Sequence, residues 1–187
     1  MKEFTKRITS FFLDIIQVIV FALSIFVICY LFLFQPHQVQ GNSMYANFHD
    51  KEFILTDKLS YRFRPPQRGE VIIFKAPPSE LCAEFECEYI KRIIGLPGEK
   101  VRISNGEIFI NDQKLTENYL PTEIKTSAGS YLGEGKTITL KENEYLVFGD
   151  NRAHSRDSRE FGPIKRNAII GKAFFCYWPI DRIRFIR

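Results

Sequence analysis

Residues 35–44 read Q-P-H-Q-V-Q-G-N-S-M and separate two unlike parts of the chain. Before them lies a long apolar run that ends at Phe34, and after them short apolar segments alternate with turn residues. The segment presents one serine, Ser43, and we expect its Pro36 and Gly41 to form turns. The stretch therefore predicts an anchor, a short exit segment and a β-rich body around that serine.

The apolar run Ile15–Phe34 contains twenty residues and no charged side chain. As a helix rising about 1.5 Å per residue, it would be roughly 30 Å long, the thickness of a bilayer core. A buried helix of a soluble body is the alternative, but such a helix carries a polar stripe and this run is apolar on every side. We predict a transmembrane helix over residues 12–34, with the lipid bilayer as a partner.

The distribution of basic residues predicts an orientation. Three of them lie in the first eleven positions, whereas residues 35–50 contain no Lys or Arg. The positive-inside rule then predicts a single-pass protein of the plasma membrane. Residues 1–11 would be cytoplasmic, and residues 35–187 would form an extracytoplasmic catalytic domain.

The body after Ser43 is predicted to be mostly β. Asn105-Gly106 is a strong signal for a two-residue hairpin. The expected fold is one N-terminal transmembrane α-helix followed by an antiparallel β-sheet catalytic body with a smaller β/loop excursion at about residues 105–141. Strands are predicted over 52–57, 70–75, two segments of 89–103 joined by a turn at 95–98, 107–111, 114–115, 137–140, 144–150, 168–179 and 182–187.

Charge and cysteine content exclude several classes. The formal net charge is only +4, with 26 basic residues dispersed among 22 acidic ones, so we expect no nucleic-acid partner. Cys29 and Cys176 lie in apolar runs and are interpreted as small hydrophobes. Cys82 and Cys87 either form a disulfide or are two free thiols. We expect no metal, no cofactor and a monomer.

Two local patterns compete for the base that would activate Ser43. His154 and Asp150 share one polar loop, so a Ser–His–Asp triad is conceivable. Lys91 has apolar neighbours on both sides, and a desolvated lysine loses part of its preference for the charged form. Taken locally, such a lysine is more often a surface residue of an amphipathic strand.

Four ordered blocks carry a resemblance that favours the lysine. The chain resembles bacterial type I signal peptidases, membrane-bound Ser–Lys endopeptidases, and its single span and short body are similar to the smaller forms in Gram-positive and related bacteria. The matching blocks are G-N-S-M at 41–44, R-G-E-V-I-I-F at 68–74, K-R-I-I-G-L-P-G-E at 91–99 and G-D-N-R-A-H-S-R-D-S-R-E-F-G at 149–162.

The resemblance implies a function and a catalytic pair. Ser43 would be the nucleophile and Lys91 the general base, with Ser155 hydrogen-bonded to the lysine and orienting it. The enzyme would remove N-terminal signal peptides from exported preproteins at the outer face of the plasma membrane.

Supporting and substrate-binding residues are implied in the same way. Asp150 would pair with Arg92, and Asp157 with Arg159. An extended substrate would add a strand beside residues 38–41 and 88–90. Small residues would be preferred at the first and third positions before the cut, in pockets formed by Val39, Gln40, Gly41, Met44, Tyr89 and Ile90.

Two departures from the family pattern leave a rival hypothesis open. Ala46 stands where the family's nucleophile block has proline, which removes backbone stiffness. Gly41 stands where Gram-negative members have an oxyanion-hole serine, so the oxyanion would rest mainly on the Ser43 N–H. The rival is a non-cleaving member that acts as a membrane-tethered binding or assembly factor.

Overall fold

A computed structural model of the chain describes residues 2–80 and 87–186. The helices are α1 (Lys2–Phe32), α2 (Ser60–Phe63) and α3 (Ser158–Phe161), with short 3-10 turns at Arg166–Ala168 and Ile180–Arg182. The strands are β1 (Phe34–Gln38), β2 (Phe53–Asp57), β3 (Val71–Lys75), β4 (Glu88–Gly95), β5 (Lys100–Ser104), β6 (Glu107–Ile110), β7 (Gln113–Lys114), β8 (Thr137–Thr139), β9 (Glu144–Phe148), β10 (Ile164–Lys165), β11 (Ile169–Trp178) and β12 (Arg184–Phe185).

Helix α1 carries the apolar run. Its segment Ser10–Tyr30 spans 21 residues with a mean hydropathy of 2.7, and none of its most apolar window is buried against the rest of the protein. Within the described residues this is the one helix long and apolar enough to cross a membrane. The β-rich part of the protein does not cover this apolar helix, which agrees with the predicted membrane segment.

The exit from α1 differs from the predicted helix over residues 12–34 and from the predicted turn at Pro36. The helix ends at Phe32, because the Leu33 carbonyl accepts a hydrogen bond from the Lys58 N–H (2.9 Å) and the chain enters β1 at once. Pro36 lies inside β1, so the turn prediction is wrong there. Strand β1 is an edge strand that pairs only with β2, where a residue without an N–H is tolerated.

The larger sheet has the order β1-β2-β11-β3-β4-β9-β10, with β12 also paired to β11, and every pairing in it is antiparallel. Strand β3 lies near its centre and is buried on both faces, as its uninterrupted apolar sequence predicts. Val71 and Ile73 pack into one apolar cluster, and Ile72 and Phe74 pack into another. The sheet thus separates two cores, and the candidate site lies over the first.

The smaller sheet has the order β7-β6-β5-β8 and forms the predicted excursion. Asn105 and Gly106 join β5 to β6 with φ angles of 55° and 80°, the left-handed pair that a two-residue hairpin turn requires. Residues 118–136 contain no strand and contact helix α3, where the Tyr131 and Leu132 N–H groups donate to the Arg159 carbonyl (2.9 and 3.1 Å). The predicted mostly β fold with one N-terminal helix is confirmed.

The polar segment 151–163, predicted as a loop, contains α3. The Asp157 carboxylate caps this helix by accepting a hydrogen bond from the Arg159 N–H. A single capped turn has no apolar periodicity of its own, and its available signal is the capping pattern of Asp157 followed three residues later by Glu160.

Candidate functional site

Ser43 lies in a tight turn that follows β1. The turn is held from both sides: the Gly41 N–H donates to Asp50 Oδ1 (2.7 Å), and the Tyr45 N–H donates to the Asn42 carbonyl (3.2 Å). The Ser43 carbonyl accepts a hydrogen bond from the Asn151 N–H (3.0 Å) in the loop after β9. The serine is therefore fixed against the segment that carries the last of the four sequence blocks.

Lys91 reaches this serine from β4. Its side chain is almost completely buried, with 4% of the residue exposed. Its Nζ donates to Ser43 Oγ (2.7 Å) and to the Ile90 carbonyl (3.0 Å), and it lies 5.3 Å from the centre of the Tyr89 ring. The structure thus brings together two residues that are 48 positions apart in the sequence.

The environment of Lys91 shifts its amine towards the neutral form. Burial lowers the pKa of Lys91 to about 8, although the charges of Asp157, Asp150 and Glu80 act to raise it. Among residues 2–80 and 87–186, no carboxylate is within ion-pair distance of this amine. A desolvated lysine that lacks a contacting carboxylate releases its proton more easily than one in water.

Two buried ion pairs flank the Ser43–Lys91 contact, at the positions that the resemblance implies. Arg92 donates from Nε to Asp150 Oδ1 (2.8 Å) and from Nη2 to Oδ2 (2.6 Å). Arg159 binds both oxygens of Asp157 at 2.8 Å, and Asp157 also accepts from the Gly149 N–H (2.9 Å). All four side chains are at most 4% exposed, so these are fully desolvated bidentate pairs.

The His154 alternative does not match the geometry. His154 is exposed, and its backbone N–H, rather than its ring, makes the contact that the structure describes for it. Both Asp150 oxygens are already bound, one to Arg92 alone and the other to Arg92 and Asn47. Asp150 is thus committed to Arg92 and Asn47, and among the described residues no hydrogen bond joins the His154 ring to Asp150 or to Ser43, so the structure does not form the triad.

Ser155 lies beside the site without the predicted hydrogen bond to Lys91. Its hydroxyl oxygen is buried and has no hydrogen-bond partner within the described part of the chain. Gly149 explains how Ser155 comes so close: a Cβ at Gly149 would collide with the Ser155 hydroxyl and with the Ser43 carbonyl. The amine instead bonds to Ser43 and to the carbonyl of Ile90, which leaves Ser155 unpaired.

Sequence reasoning missed a polar clamp that joins the excursion to this site. Asn47 donates from Nδ2 to Asp150 Oδ2 (2.8 Å) and to the Tyr119 carbonyl (2.9 Å). The Tyr119 ring covers the Arg92 guanidinium at 4.0 Å. Arg152 donates to Glu117 Oε2 (2.8 Å) and to the Gly149 carbonyl. Asn47 and Arg152 fall in or beside matched blocks, which was the available signal.

A cleft of about 620 Å³ opens beside Ser43 and Lys91. Of the predicted substrate-binding residues, Val39, Gln40, Tyr89 and Ile90 line it, whereas Gly41 and Met44 do not. Met44 instead packs into the core with 1% exposure, and its sulfur accepts a hydrogen bond from the Asp150 N–H (3.4 Å).

The structure describes three of the four cysteines and allows a search for metal-binding groups among the described residues. Cys82 lies outside the described residues, whereas Cys87 is disulfide-bonded, so the alternative of two free thiols is wrong. Cys176 is a buried free cysteine in β11, as expected, and Cys29 is a partly exposed one in α1. In the described part of the chain, no group of three or more His, Cys, Asp or Glu side chains is arranged to hold a metal ion.

Comparisons with known proteins show which family this chain belongs to. A family model described as "Signal peptidase, peptidase S26" matches residues 12–178. A probable signal peptidase I-2 of Synechocystis is 34% identical over 152 residues, which cover 81% of this chain and 66% of that protein. Signal peptidase IB of Staphylococcus aureus is 31% identical over 165 residues, 82% of this chain and 83% of that protein. A crystal structure of a signal peptidase I from Enterococcus faecalis matches 58% of this chain and 97% of that chain, with 30% identity and a TM-score of 0.47.

Proposed function

Because this chain belongs to the signal peptidase family, peptidase S26, and is therefore a hydrolase, we propose that it is a membrane-anchored serine endopeptidase. Its substrates are exported preproteins, from which it removes the N-terminal signal peptide. Ser43 is the nucleophile and Lys91 the general base. The observation that supports this assignment most directly is the 2.7 Å contact between Lys91 Nζ and Ser43 Oγ, made by an amine without a carboxylate partner among the described residues.

The first half of the reaction forms an acyl-enzyme. Neutral Lys91 accepts the proton of the Ser43 hydroxyl while Oγ attacks the carbonyl carbon before the scissile bond. The pKa of Lys91 near 8 leaves a useful neutral fraction at neutral pH. The Ser43 backbone N–H stabilises the oxyanion. When the C–N bond breaks, the Lys91 ammonium gives its proton to the leaving amine.

The second half releases the signal peptide. Water loses a proton to Lys91 and attacks the ester carbonyl on Ser43. The C–Oγ bond then breaks, the proton returns from Lys91 to Ser43 Oγ, and the signal peptide leaves as a carboxylate. The same amine serves as base and acid in both halves, so each turnover restores its starting state.

The substrate lies extended between residues 38–41 and residues 88–90. Gln38, Val39 and Gln40 line one side of the cleft, and Glu88, Tyr89 and Ile90 line the other. A peptide placed there adds main-chain hydrogen bonds, as strands do when they extend a sheet. The aliphatic side chains in the cleft leave shallow space, which suits small residues near the cut.

The active site faces the outer side of the plasma membrane. Basic residues lie before the apolar segment Ser10–Tyr30 and are absent from residues 35–50, which supports a cytoplasmic N-terminus. In spheroplasts, protease added outside should degrade the body while the N-terminus stays protected. Protection of the body would instead place Ser43 in the cytoplasm.

A cleavage assay tests the catalytic assignment. The full chain, purified in detergent, is incubated between pH 7 and pH 10 with a preprotein that carries an alanine-x-alanine site. Ser43→Ala and Lys91→Ala should each abolish cleavage, with a loss of at least about 10³-fold. Lys141→Ala is the matched control, because that lysine side chain is 85% exposed.

The same assay addresses the alternatives. If the wild type released no product at any pH, the rival of a non-cleaving binding factor, which Ala46 motivates, would be favoured. Activity in Lys91→Ala together with an inactive His154→Ala would overturn the Ser–Lys pair.

A further inference from the structure

The cleft beside Ser43 changes character along its length. Its floor is aliphatic, formed by Val39, Ile54, Ile73 and Ile90. His37 and Glu88 also line it, and they belong to the two strands on its opposite sides, β1 and β4. Gln38, Gln40 and Arg156 add further polar groups to the lining, and polar side chains placed over an aliphatic floor fix the orientation of a ligand and the specificity for it.

The His37–Glu88 pair spans the cleft. Strands β1 and β4 are separated by β2, β11 and β3 in the sheet order. Four strand spacings of about 4.8 Å would put them about 19 Å apart in a flat sheet. Yet His37 Nε2 lies 2.9 Å from Glu88 Oε2, so the sheet is curled and these side chains meet across the cleft.

The pair offers one donor and one acceptor. Thr56 Oγ1 lies 2.8 Å from His37 Nδ1, and a hydroxyl that donates there places the imidazole proton on Nε2. Burial lowers the pKa of His37, against the opposing effect of Glu88, which favours this neutral tautomer. Nε2 is buried and, within the described residues, has no aligned hydrogen-bond partner in spite of its closeness to Glu88. Glu88 is 35% exposed and supplies the acceptor.

A hydroxyl group complements such a pair, because it donates one hydrogen bond and accepts others. Its O–H would donate to the Glu88 carboxylate, and its oxygen would accept the Nε2–H of His37. An aliphatic side chain of the same shape would leave Nε2 buried without a partner, which costs binding energy.

The position along the substrate follows from the strand. Glu88 precedes Lys91 by three residues, about 10 Å along β4. In an extended substrate the first and third residues before the cut point to the same side, about 7 Å apart. His37, Glu88, Ser43 and Lys91 line one cleft, so we assign the third side chain to the end with His37 and Glu88 when the first lies at Ser43.

We propose that His37 and Glu88 form a hydroxyl-recognition subsite that favours serine or threonine at the third residue before the scissile bond. This inference rests on the proposed function and adds a selection by hydrogen bonding to the preference for small residues. Glu88 accepts the hydroxyl proton, and the single Nε2–H of His37 donates to the hydroxyl oxygen.

Threonine and valine are nearly isosteric, so they test the hydroxyl alone. Three preproteins are compared, identical except for alanine, threonine or valine at the third residue before the cut. The kcat/KM ratio of the threonine to the valine preprotein should be about fivefold in the wild type. It should fall to about twofold in Glu88→Gln, which keeps a weaker neutral acceptor, and to one or less in Glu88→Leu and His37→Phe.

The control is Glu107→Gln, a comparable loss of charge at a 42% exposed carboxylate of β6, which should leave the ratio unchanged. Each rate is divided by the same variant's rate on the alanine preprotein, so a general loss of activity does not enter the ratio. A wild-type ratio of one or less, or an equal ratio in the wild type and all three cleft variants, overturns the subsite. Failure of the wild type to cleave the alanine preprotein would instead overturn the proposed function.

Discussion

Lys91 and Arg92 are neighbours in β4 and are equally buried, but Arg92 has a carboxylate partner and Lys91 has only neutral oxygen partners among the described residues. They are 4% and 3% exposed. Arg92 binds both oxygens of Asp150, whereas Lys91 bonds to the hydroxyl of Ser43 and to a backbone carbonyl. Successive residues of a strand point to opposite sides, so one strand supplies both environments within two positions.

The difference shows how a single strand can carry a fixed charge and a titratable base. A buried guanidinium in a bidentate carboxylate pair keeps its charge and holds the chain in one arrangement. A buried amine without such a carboxylate contact gives up its proton near neutral pH. Asp150 serves both residues, because it neutralises Arg92 directly and raises the pKa of Lys91 only from a distance.

Breaking the fixed pair should have the largest effect on stability. Asp150→Ala leaves the Arg92 guanidinium buried without its carboxylate and removes one acceptor of Asn47. We expect the free energy of unfolding to fall by about 3–5 kcal/mol, measured by denaturant unfolding of the full chain in detergent. The control Asp181→Ala removes a carboxylate that is 76% exposed and should cost less than about 0.5 kcal/mol. Equal losses in the two variants would mean that the buried pair adds no stability.

The pH profile of cleavage is the next largest effect. Only the neutral amine of Lys91 can accept the serine proton, and its pKa is about 8. The value of kcat/KM should therefore rise about tenfold per pH unit below pH 8, be about 100-fold lower at pH 6, and level off above pH 8. His154→Ala should leave this profile unchanged. A limb centred near pH 6.5 that disappears in His154→Ala would contradict the lysine base.

Replacing Lys91 should change how the free energy of unfolding depends on pH. Between about pH 8 and 10.5, the unfolded chain holds a proton at Lys91 that the folded chain has released. The contribution of Lys91 to the free energy of unfolding thus rises with pH across this window, by about 3 kcal/mol, and is constant below it.

Lys91→Met keeps the length of the side chain and removes the titration. The difference in free energy of unfolding between Lys91→Met and the wild type should be largest at pH 7, in favour of the variant, and shrink as pH approaches 10.5. Denaturant unfolding at pH 7, 8.5 and 10 measures it. A difference that stays constant across those three values would show that Lys91 is not desolvated in the folded protein.

Local sequence patterns predicted the parts of this fold that local physics determines. The apolar run and the strands follow from hydrophobic periodicity, and the hairpin at Asn105-Gly106 follows from turn chemistry. The end of α1 and the strand at Pro36 did not follow, because the pairing of β1 with β2 overrides the local signals. A proline that usually indicates a turn is acceptable on an edge strand.

Part of the site was also predictable from the sequence, and part of it was not. Residue types and the ordered blocks indicated Ser43, Lys91 and the buried ion pairs, although local sequence alone left the base undecided. The bonds of Asn47 join residues 72 and 103 positions apart, and no spacing rule reports contacts of that range. Ser155 shows the converse, because its position matches the family but its hydroxyl lies against Gly149 and makes no bond to the Lys91 amine among the described residues.

The smallest expected effect on stability comes from a substitution at Asn47, which contacts Asp150 but not Arg92. Asn47→Ala removes a hydrogen bond to Asp150 and another to the Tyr119 carbonyl, while Arg92 keeps both of its own bonds to Asp150. We expect a loss of about 1–2 kcal/mol in the free energy of unfolding.

Asn47→Asp should cost more, because it puts a second carboxylate against the buried Asp150. Asn118→Ala, at an exposed asparagine in the excursion, is the control and should be within about 0.5 kcal/mol of the wild type. Equal stability of Asn47→Asp and Asn47→Ala would mean that water reaches Asp150. The Arg92–Asp150 pair would then be solvated like a surface ion pair, and its description as a desolvated pair would be refuted.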